Sequence, residues 1–183
     1  MTFDCKKHTL SSGKEVYVYD GLVPLIMRQS VLDFCKKSFY RIGWEDGEAE
    51  KSRNFQFLYA SFTEEEDYAA KLLPHLISNT PVGQHVQGLR RIKSVVNLSL
   101  PTNTYFAHSH PEKFVVLYYA NTLWEHEWHG ETVFYTEDLS EIELCVKYTP
   151  GRVVVFDATI PHALRPQSTT ADDYRFTYAF FFD

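Results

Sequence analysis

The second half of the chain limits its possible folds most, because it consists of one extended apolar run after another. From residue 91 onward there are six such runs, rich in β-branched and aromatic residues: RIKSVVNLSL, KFVVLYYAN, GETVFYT, IELCVKYT, GRVVVFDA and YRFTYAFFF. No helical repeat of apolar residues separates them. Successive strands of this kind predict an antiparallel sandwich or a small barrel, not a fold of alternating strands and helices.

The part of the chain before residue 89 has a mixed pattern. Residues 14–20 alternate as a strand does, and residues 24–37 have a helical pattern. A second helix is predicted from the capping box that Thr63 and Glu66 can form. Its apolar face would consist of Tyr68, Ala69, Leu72, Leu73, Leu76 and Ile77. Pro74 falls inside this helix and predicts a kink or a shorter element.

These patterns predict one α+β domain over residues 1–183. Its centre would be a β-core of residues 89–183, and the helices and strands of residues 1–88 would buttress that core. No repeat, low-complexity tract or Pro/Gly-rich linker divides the chain. We expect the β-core to be closed enough to hold a binding site in its mouth.

Composition and charge disfavour some classes of partner and some cellular compartments. The formal net charge of −6 disfavours a nucleic-acid partner, since phosphate binding needs clustered Lys and Arg. Cys5, Cys35 and Cys145 are odd in number and lack CxxC spacing, which is typical of a reducing compartment. The N-terminus lacks an apolar signal-peptide region, and no run approaches the roughly 20 apolar residues that cross a bilayer. We therefore expect a cytoplasmic protein with no membrane partner.

The two faces of the last predicted strand, RFTYAFFF, differ in chemistry. Side chains alternate across a strand, so one face carries only aromatic residues: Phe176, Tyr178, Phe180 and Phe182. The other face carries Arg175, Thr177 and Ala179. We expect the aromatic face to be a packing surface and Arg175 to point inward, where it would meet an anion in a cavity. The alternative is an outward Arg175 on a solvated face.

Histidines are concentrated in the predicted β-core. Four of the eight fall between residues 108 and 129, and the segment HSHPE places His108, His110 and Glu112 at alternate positions. His162 follows at the end of a later predicted strand. Imidazole is the commonest metal ligand, and two ligands one residue apart with a third on a distant strand often hold a mononuclear metal with open positions. The pattern predicts a metal centre.

Several motifs resemble those of one known family when they are taken in order. They are VLYYAN (116–121), WHGETVFY (128–135), TPGRVVVFDATIPH (149–162) and YRFT (174–177). Over about residues 89–182 the chain resembles the iron(II)- and 2-oxoglutarate-dependent oxygenases, especially the prolyl 4-hydroxylase-like branch. The resemblance implies a double-stranded β-helix, or jelly-roll barrel, with Fe(II) as cofactor and with 2-oxoglutarate and O2 as co-substrates.

The resemblance also implies roles for particular residues. His162 would be the distal iron ligand, and Arg175 would hold the far carboxylate of 2-oxoglutarate. Tyr119 would donate its hydroxyl to the same carboxylate, and Thr177 would assist on the same face. An Arg can grip a carboxylate through two parallel N–H bonds, which would explain a buried charge at this place.

The chain departs from the family at the first ligand pair, which is usually His-x-Asp/Glu. Spacing to LYYAN makes His108 the first ligand and puts His110 in the place of the carboxylate. Three interpretations remain open. Iron is held by His108, His110 and His162; or His110 and Glu112 supply the pair and a carboxylate is retained; or the histidines are polar surface without metal.

Two other functions compete with an oxygenase that uses 2-oxoglutarate. A cupin-like dioxygenase with three histidines would act on a small thiol or diketone, but it would leave Arg175 without its carboxylate. A non-catalytic β-domain would have lost metal binding. Hydroxylation is the reaction that the resemblance implies, and the substrate, a small molecule or a peptide, cannot be identified from the sequence.

Overall fold

The computed structural model describes residues 3–43, 58–63, 66, 71–103 and 105–183. The strands described are β1 (Asp4–Thr9), β2 (Glu15–Asp20), β3 (Arg41–Ile42), β4 (Leu58–Phe62), β5 (Arg91–Ser99), β6 (Phe114–Tyr119), β7 (Thr132–Tyr135), β8 (Ile142–Val146), β9 (Val153–Asp157), β10 (His162–Leu164) and β11 (Arg175–Phe182). The helices described are α1 (Leu25–Lys37), α2 (Leu72–Asn79) and α3 (Val82–His85), with a 3-10 turn at His126–Trp128.

The strands form two antiparallel sheets. The larger has the order β1-β2-β9-β6-β11-β5-β4-β3, and the smaller has the order β10-β7-β8. The prediction of a mostly antiparallel β-fold is confirmed. The six predicted runs all contain strands, whereas β1, β4 and β10 were not predicted as strands.

Strand β11 lies in the middle of the large sheet, between β5 and β6. All eight of its residues are buried. Its aromatic face, with Phe176 and Phe180, belongs to a core that also contains Val31 and Leu32 of α1 and Leu76 of α2. The other face belongs to a second core that includes residues of both sheets. The predicted division of the strand into two faces is therefore confirmed.

Helix α2 begins at Leu72, directly after Lys71, whose backbone is left-handed with φ 54°. Pro74 consequently lies in the first turn, where a missing N–H breaks no intrahelical bond. Glu66 accepts hydrogen bonds from both the backbone N–H and the hydroxyl of Thr63, at 2.9 Å each. The bond from the Thr63 N–H to the Glu66 carboxylate is one of the two hydrogen bonds that define a capping box. Residues 64–65 and 67–70, with Tyr68 and Ala69 of the predicted face, lie outside the described residues.

The second core lies on the inward side of β11. It contains Leu117 and Tyr119 of β6, Phe134 of β7 and Phe156 of β9, together with inward residues of β11. The loop before β6 joins this region through a backbone bridge between His108 and His162. Among the described residues, no helix has the length and apolarity needed to cross a membrane.

Candidate functional site

The backbone brings the three predicted histidines together. The N–H of His108 donates to the carbonyl of His162 at 3.0 Å, and the N–H of His162 donates back at 2.9 Å. One step along, the N–H of His110 donates to the carbonyl of Ala158 at 2.8 Å. The HSH segment therefore runs alongside the segment that leads into β10. This pairing holds histidines that are distant in sequence at a fixed separation.

The three imidazole rings form a compact group. Ring centroids are 4.5 Å apart for His108 and His162, 4.9 Å for His108 and His110, and 5.2 Å for His110 and His162. One nitrogen from each ring can be chosen so that all three lie within 4.8 Å of one another. His110 and His162 are buried, and His108 is half-buried. A single ion can contact all three nitrogens at this spacing.

Hydrogen bonds to the backbone set the tautomers of two of the rings. Nδ1 of His108 lies 3.1 Å from the carbonyl oxygen of Phe106, and Nδ1 of His162 lies 2.8 Å from that of Ile160. A carbonyl oxygen only accepts, so Nδ1 carries the proton in both rings and Nε2 has a free lone pair. Metal-binding histidines usually have such an outer hydrogen bond.

Burial keeps His162 neutral. Desolvation is the main cause that lowers the pKa of its imidazole well below 6.5, and the neighbouring His108 and His110 lower it further. A neutral imidazole is the form that binds metal. His162 therefore needs no deprotonation to act as a ligand near neutral pH.

Glu112 lies outside this group. Among the described residues, the histidines alone form the cluster with metal-ligand spacing. The Glu112 carboxylate is buried and forms an ion pair with Lys93 at 3.3 Å, while Nζ of Lys93 also lies 4.7 Å from the ring centroid of Phe181. The geometry therefore favours His108, His110 and His162 over the pair of His110 and Glu112.

A cavity of about 80 Å³ opens beside the histidines. Its wall is mostly apolar and includes Val95, Leu117, Phe156, Leu164, Ala179 and Phe181. Asn97, Tyr59 and Tyr105 add polar groups to the lining. Sequence reasoning missed these three. One feature could have identified Asn97 and Tyr59 as cavity residues. Both lie in the row of paired residues that includes the inward Thr177.

Arg175 points inward and is completely buried, as predicted. Its Nη2 donates to Oγ of Ser99 at 2.9 Å and its Nη1 donates to the carbonyl of Gly130 at 2.5 Å, whereas its Nε has no hydrogen-bond partner in the described structure. No described carboxylate pairs with it. Gly130 has φ +86°, and a Cβ at that residue would lie 3.0 Å from Cδ of Arg175.

Tyr119 and Thr177 lie side by side on neighbouring strands near Arg175. The Tyr119 hydroxyl donates to Oγ1 of Thr132 at 2.7 Å, and burial raises the pKa of Tyr119 to about 12, so the hydroxyl keeps its proton at neutral pH. Oγ1 of Thr177 is buried and lacks a hydrogen-bond partner in the part of the chain that the structure describes. Buried polar groups usually have partners, so the unpaired Nε and Oγ1 are candidate contacts for a polar ligand.

Three further residues of this region are exposed and lie outside the cluster of His108, His110 and His162. His129 is exposed, its Nδ1 is 3.6 Å from Glu131, and its carbonyl accepts a hydrogen bond from the indole of Trp124. His126 and Arg165 are also exposed. Thr132, which belongs to the motif WHGETVFY, is buried next to Tyr119.

Comparison with solved structures places this architecture among known folds. A prolyl hydroxylase from Trichoplax adhaerens, in complex with a hypoxia inducible factor peptide fragment, is similar with a TM-score of 0.67 and 16% identity, over 91% of this chain and 82% of that one. A 2OG-Fe(II) oxygenase family oxidoreductase from Burkholderia pseudomallei has a TM-score of 0.65 and 11% identity, over 92% and 84%. This chain has the fold of the iron(II)/2-oxoglutarate oxygenases.

A third structure of the same fold is HygX from Streptomyces hygroscopicus, which has nickel and 2-oxoglutarate bound. Its TM-score to this chain is 0.65, with 11% identity over 95% of this chain and 83% of that one. No family model and no curated protein matches the sequence. The fold is therefore recognised from the structure. Sequence identities of 11–16% do not establish the chemistry, which has to be inferred from the residues of the site.

Proposed function

We propose that this protein is a mononuclear non-haem iron oxygenase that couples the decarboxylation of 2-oxoglutarate to the oxidation of a substrate. The observation that carries the proposal is the buried Arg175 guanidinium on the inward face that also carries the cavity residues Ala179 and Phe181. An arginine cannot lose its charge inside a protein, and burying it without an anion costs several kcal/mol, roughly. A ligand with a carboxylate would remove that cost.

The residues present fit both implied groups. Three imidazoles, two of which have Nε2 free, form a donor set suited to Fe(II). Nε of Arg175 and Oγ1 of Thr177 are buried donors without described partners, and a carboxylate supplies the acceptors that such donors need. The HygX structure holds a metal and 2-oxoglutarate in the same fold.

Each residue would have a definite task. His108, His110 and His162 would hold the iron and leave positions open on the cavity side. Arg175 and Thr177 would bind the far carboxylate of 2-oxoglutarate, and Tyr119, which keeps its proton, would transfer its hydrogen bond from Thr132 to that carboxylate. The apolar wall around Leu117 and Ala179 would exclude water from the reaction. When bound, the iron would supply the redox chemistry with O2.

Hydroxylation of a small molecule or of a peptide side chain is the specific reaction that we propose. The Trichoplax enzyme was solved with a peptide fragment, which supports a peptide as one of the two substrate classes. We also infer that the two sheets form a double-stranded β-helix within a single domain of residues 1–183. The two antiparallel sheets and the coverage of more than nine-tenths of this chain support that inference.

The test measures binding and turnover separately. Purified without oxygen and loaded with Fe(II), the protein is expected to bind 2-oxoglutarate and, when O2 is added, to release succinate slowly even without substrate. Arg175→Met should weaken 2-oxoglutarate binding by about 100-fold, the scale expected when a buried charged hydrogen-bond donor is lost. Lys147→Met, an exposed substitution that also removes one positive charge, is the matched control. Unchanged binding in Arg175→Met would refute the proposal.

The group of three histidines supports a second candidate, a dioxygenase that acts on a small thiol or diketone without 2-oxoglutarate. Such an enzyme has no use for the buried guanidinium, which is why we rank it second. Oxidation of a thiol such as cysteine at a rate that does not depend on 2-oxoglutarate would favour this candidate over the first.

A further inference from the structure

Side chains take over from strand pairing where the backbone of β11 begins. The N–H of Ala120 donates to the carbonyl of Phe176 at 3.0 Å, just beyond the last paired residues of β6 and β11. Next to that bond, Oδ1 of Asn121 accepts from the N–H of Phe176, and Nδ2 of Asn121 donates to the carbonyl of Tyr174, both at 2.9 Å. One buried amide side chain therefore holds the backbone on each side of Arg175.

A second buried amide holds Arg175 itself. Oε1 of Gln167 accepts from the N–H of Arg175 at 2.9 Å, and Nε2 of Gln167 donates to the carbonyl of Asp173 at 2.9 Å. The backbone of Gln167 bridges to His129, which precedes Gly130. The carbonyl of Gly130 in turn accepts from the guanidinium of Arg175. The segment around Gln167 thus contacts the backbone of Arg175 and is paired with the segment that contacts its tip.

Tyr148 contacts both groups that would bind the far carboxylate in the proposed function. Its ring stacks on the ring of Tyr119, with centroids 4.5 Å apart and an interplanar angle of 13°, and Cζ of Arg175 lies 6.0 Å from its centroid. Its hydroxyl lies 2.6 Å from the carbonyl oxygen of Phe176 and 2.7 Å from Oδ1 of Asn121. Burial raises the pKa of Tyr148 well above 10, so the hydroxyl stays a donor. Tyr148 therefore connects the Tyr119 ring to the backbone beside Arg175.

The spacing of Tyr119 and Arg175 matters because both would donate to one carboxylate from different strands. Such donors must be held to within about 0.5 Å, and a misplacement of about 1 Å can weaken a site on the order of 100-fold. Resting on the proposed function, we propose that Tyr148 and Gln167 are positioning residues. They contact neither the metal nor 2-oxoglutarate, and they fix Tyr119 and Arg175 at the spacing that the far carboxylate requires.

The test compares the binding of two keto acids by calorimetry, with Mn(II) bound and oxygen excluded. 2-Oxoglutarate has the far carboxylate, whereas 2-oxobutyrate has the same keto acid group and no second carboxylate. Tyr148→Phe keeps the stacked ring and removes only the hydroxyl. We expect it to weaken binding of 2-oxoglutarate by about tenfold, the scale of one hydrogen bond, and to leave binding of 2-oxobutyrate unchanged. Equal weakening for both acids, or no weakening for either, would overturn the role of Tyr148.

Tyr118→Phe is the matched control. Tyr118 precedes Tyr119 in β6, is completely buried, and belongs to the core that contains residues of the helices. Its hydroxyl lacks a hydrogen-bond partner within the described residues, so the substitution removes a buried tyrosine hydroxyl without removing a described hydrogen bond. Binding of both keto acids should match wild type. A loss of 2-oxoglutarate affinity as large as that in Tyr148→Phe would show a general effect of core substitution and contradict the inference.

Gln167→Met tests the second residue, and it decides the matter if Tyr148→Phe does not fold. Met keeps the length of the side chain but neither accepts from the N–H of Arg175 nor donates to the carbonyl of Asp173. We expect the same selective loss, about tenfold for 2-oxoglutarate and none for 2-oxobutyrate. A loss that does not distinguish the two acids would mean that Gln167 only stabilises the fold.

Wild-type protein separates this inference from the function on which it rests. Wild type that binds neither keto acid would refute both. Wild type that binds 2-oxoglutarate no more tightly than 2-oxobutyrate would refute the role of Arg175 and, with it, the positioning. A preference for 2-oxoglutarate that persists undiminished in Tyr148→Phe and Gln167→Met would refute the positioning and leave the proposed oxygenase in place.

Discussion

The two faces of β11 show how one strand can serve stability and binding at once. On one face, Phe176, Tyr178, Phe180 and Phe182 pack against the helices and are buried. On the other, Arg175 and Thr177 are equally buried but have a donor nitrogen and a hydroxyl without described partners. Burial is the same on both faces and only the satisfaction of polar groups differs. Unsatisfied groups, and not exposure, therefore distinguish the proposed binding side of this strand from its packing side.

The largest expected effect is on the packing face. Phe180 is completely buried, so Phe180→Ala should lower the free energy of unfolding by about 3–5 kcal/mol, through lost burial and the cavity that remains. The measurement is urea unfolding of the metal-free protein. A loss below about 1 kcal/mol would mean that this face packs loosely, and the contrast between the two faces would fail.

On the other face of β11, Arg175→Met should not lower the free energy of unfolding. Met keeps much of the volume while removing a buried charge that lacks an anion, so the free energy of unfolding of the metal-free protein should be unchanged or higher by about 1–2 kcal/mol. Urea unfolding beside Phe180→Ala tests this directly. A loss above about 3 kcal/mol would show that the hydrogen bonds to Ser99 and Gly130 hold the fold, and that Arg175 is structural.

The smallest effect concerns a histidine on the packing side. His85 is half-buried, Nε2 lies 2.7 Å from the Tyr19 hydroxyl, and desolvation lowers the pKa of the imidazole below 6.5. The unfolded chain then binds more protons below that pH, so His85 makes the free energy of unfolding fall as the pH drops from 6.5 toward the lower pKa of the folded state.

His85→Gln should make that fall shallower, by less than about 1 kcal/mol per pH unit after allowance for solvent screening. Urea unfolding of both proteins between neutral and mildly acidic pH measures the difference. Tyr19→Phe, which keeps the histidine but removes its partner, serves as the control and should retain the pH dependence. Parallel curves for wild type and His85→Gln would contradict the assignment.

Alternation of side chains was the most reliable guide from sequence to structure. It gave the two faces of β11 and the inward direction of Arg175, because a long buried strand has no freedom to change register. It also suggested that His108, His110 and Glu112 share a face. There it failed for Glu112, since the chain bends at residues 111–113 and both the N–H of His110 and the carbonyl of Lys113 bond to Ala158.

The elements that were missed depend on partners distant in sequence. Strand β10 has three residues, too few for any period, and exists because it pairs with β7. The start of α2 at Leu72 follows a left-handed Lys71, a conformation that no local preference predicts. Asn97 and Tyr59 became visible as cavity residues only through the register of β4 and β5. Such facts follow from tertiary pairing and not from local pattern.

Gly130 has a consequence that extends beyond its own loop. The arginine stem passes so close to this residue that any side chain would displace it, and the carbonyl of Gly130 then accepts from the guanidinium tip. The backbone just before β7 thus limits how far the cation extends from β11. The reach of the guanidinium is in this way set by a residue that has no side chain at all.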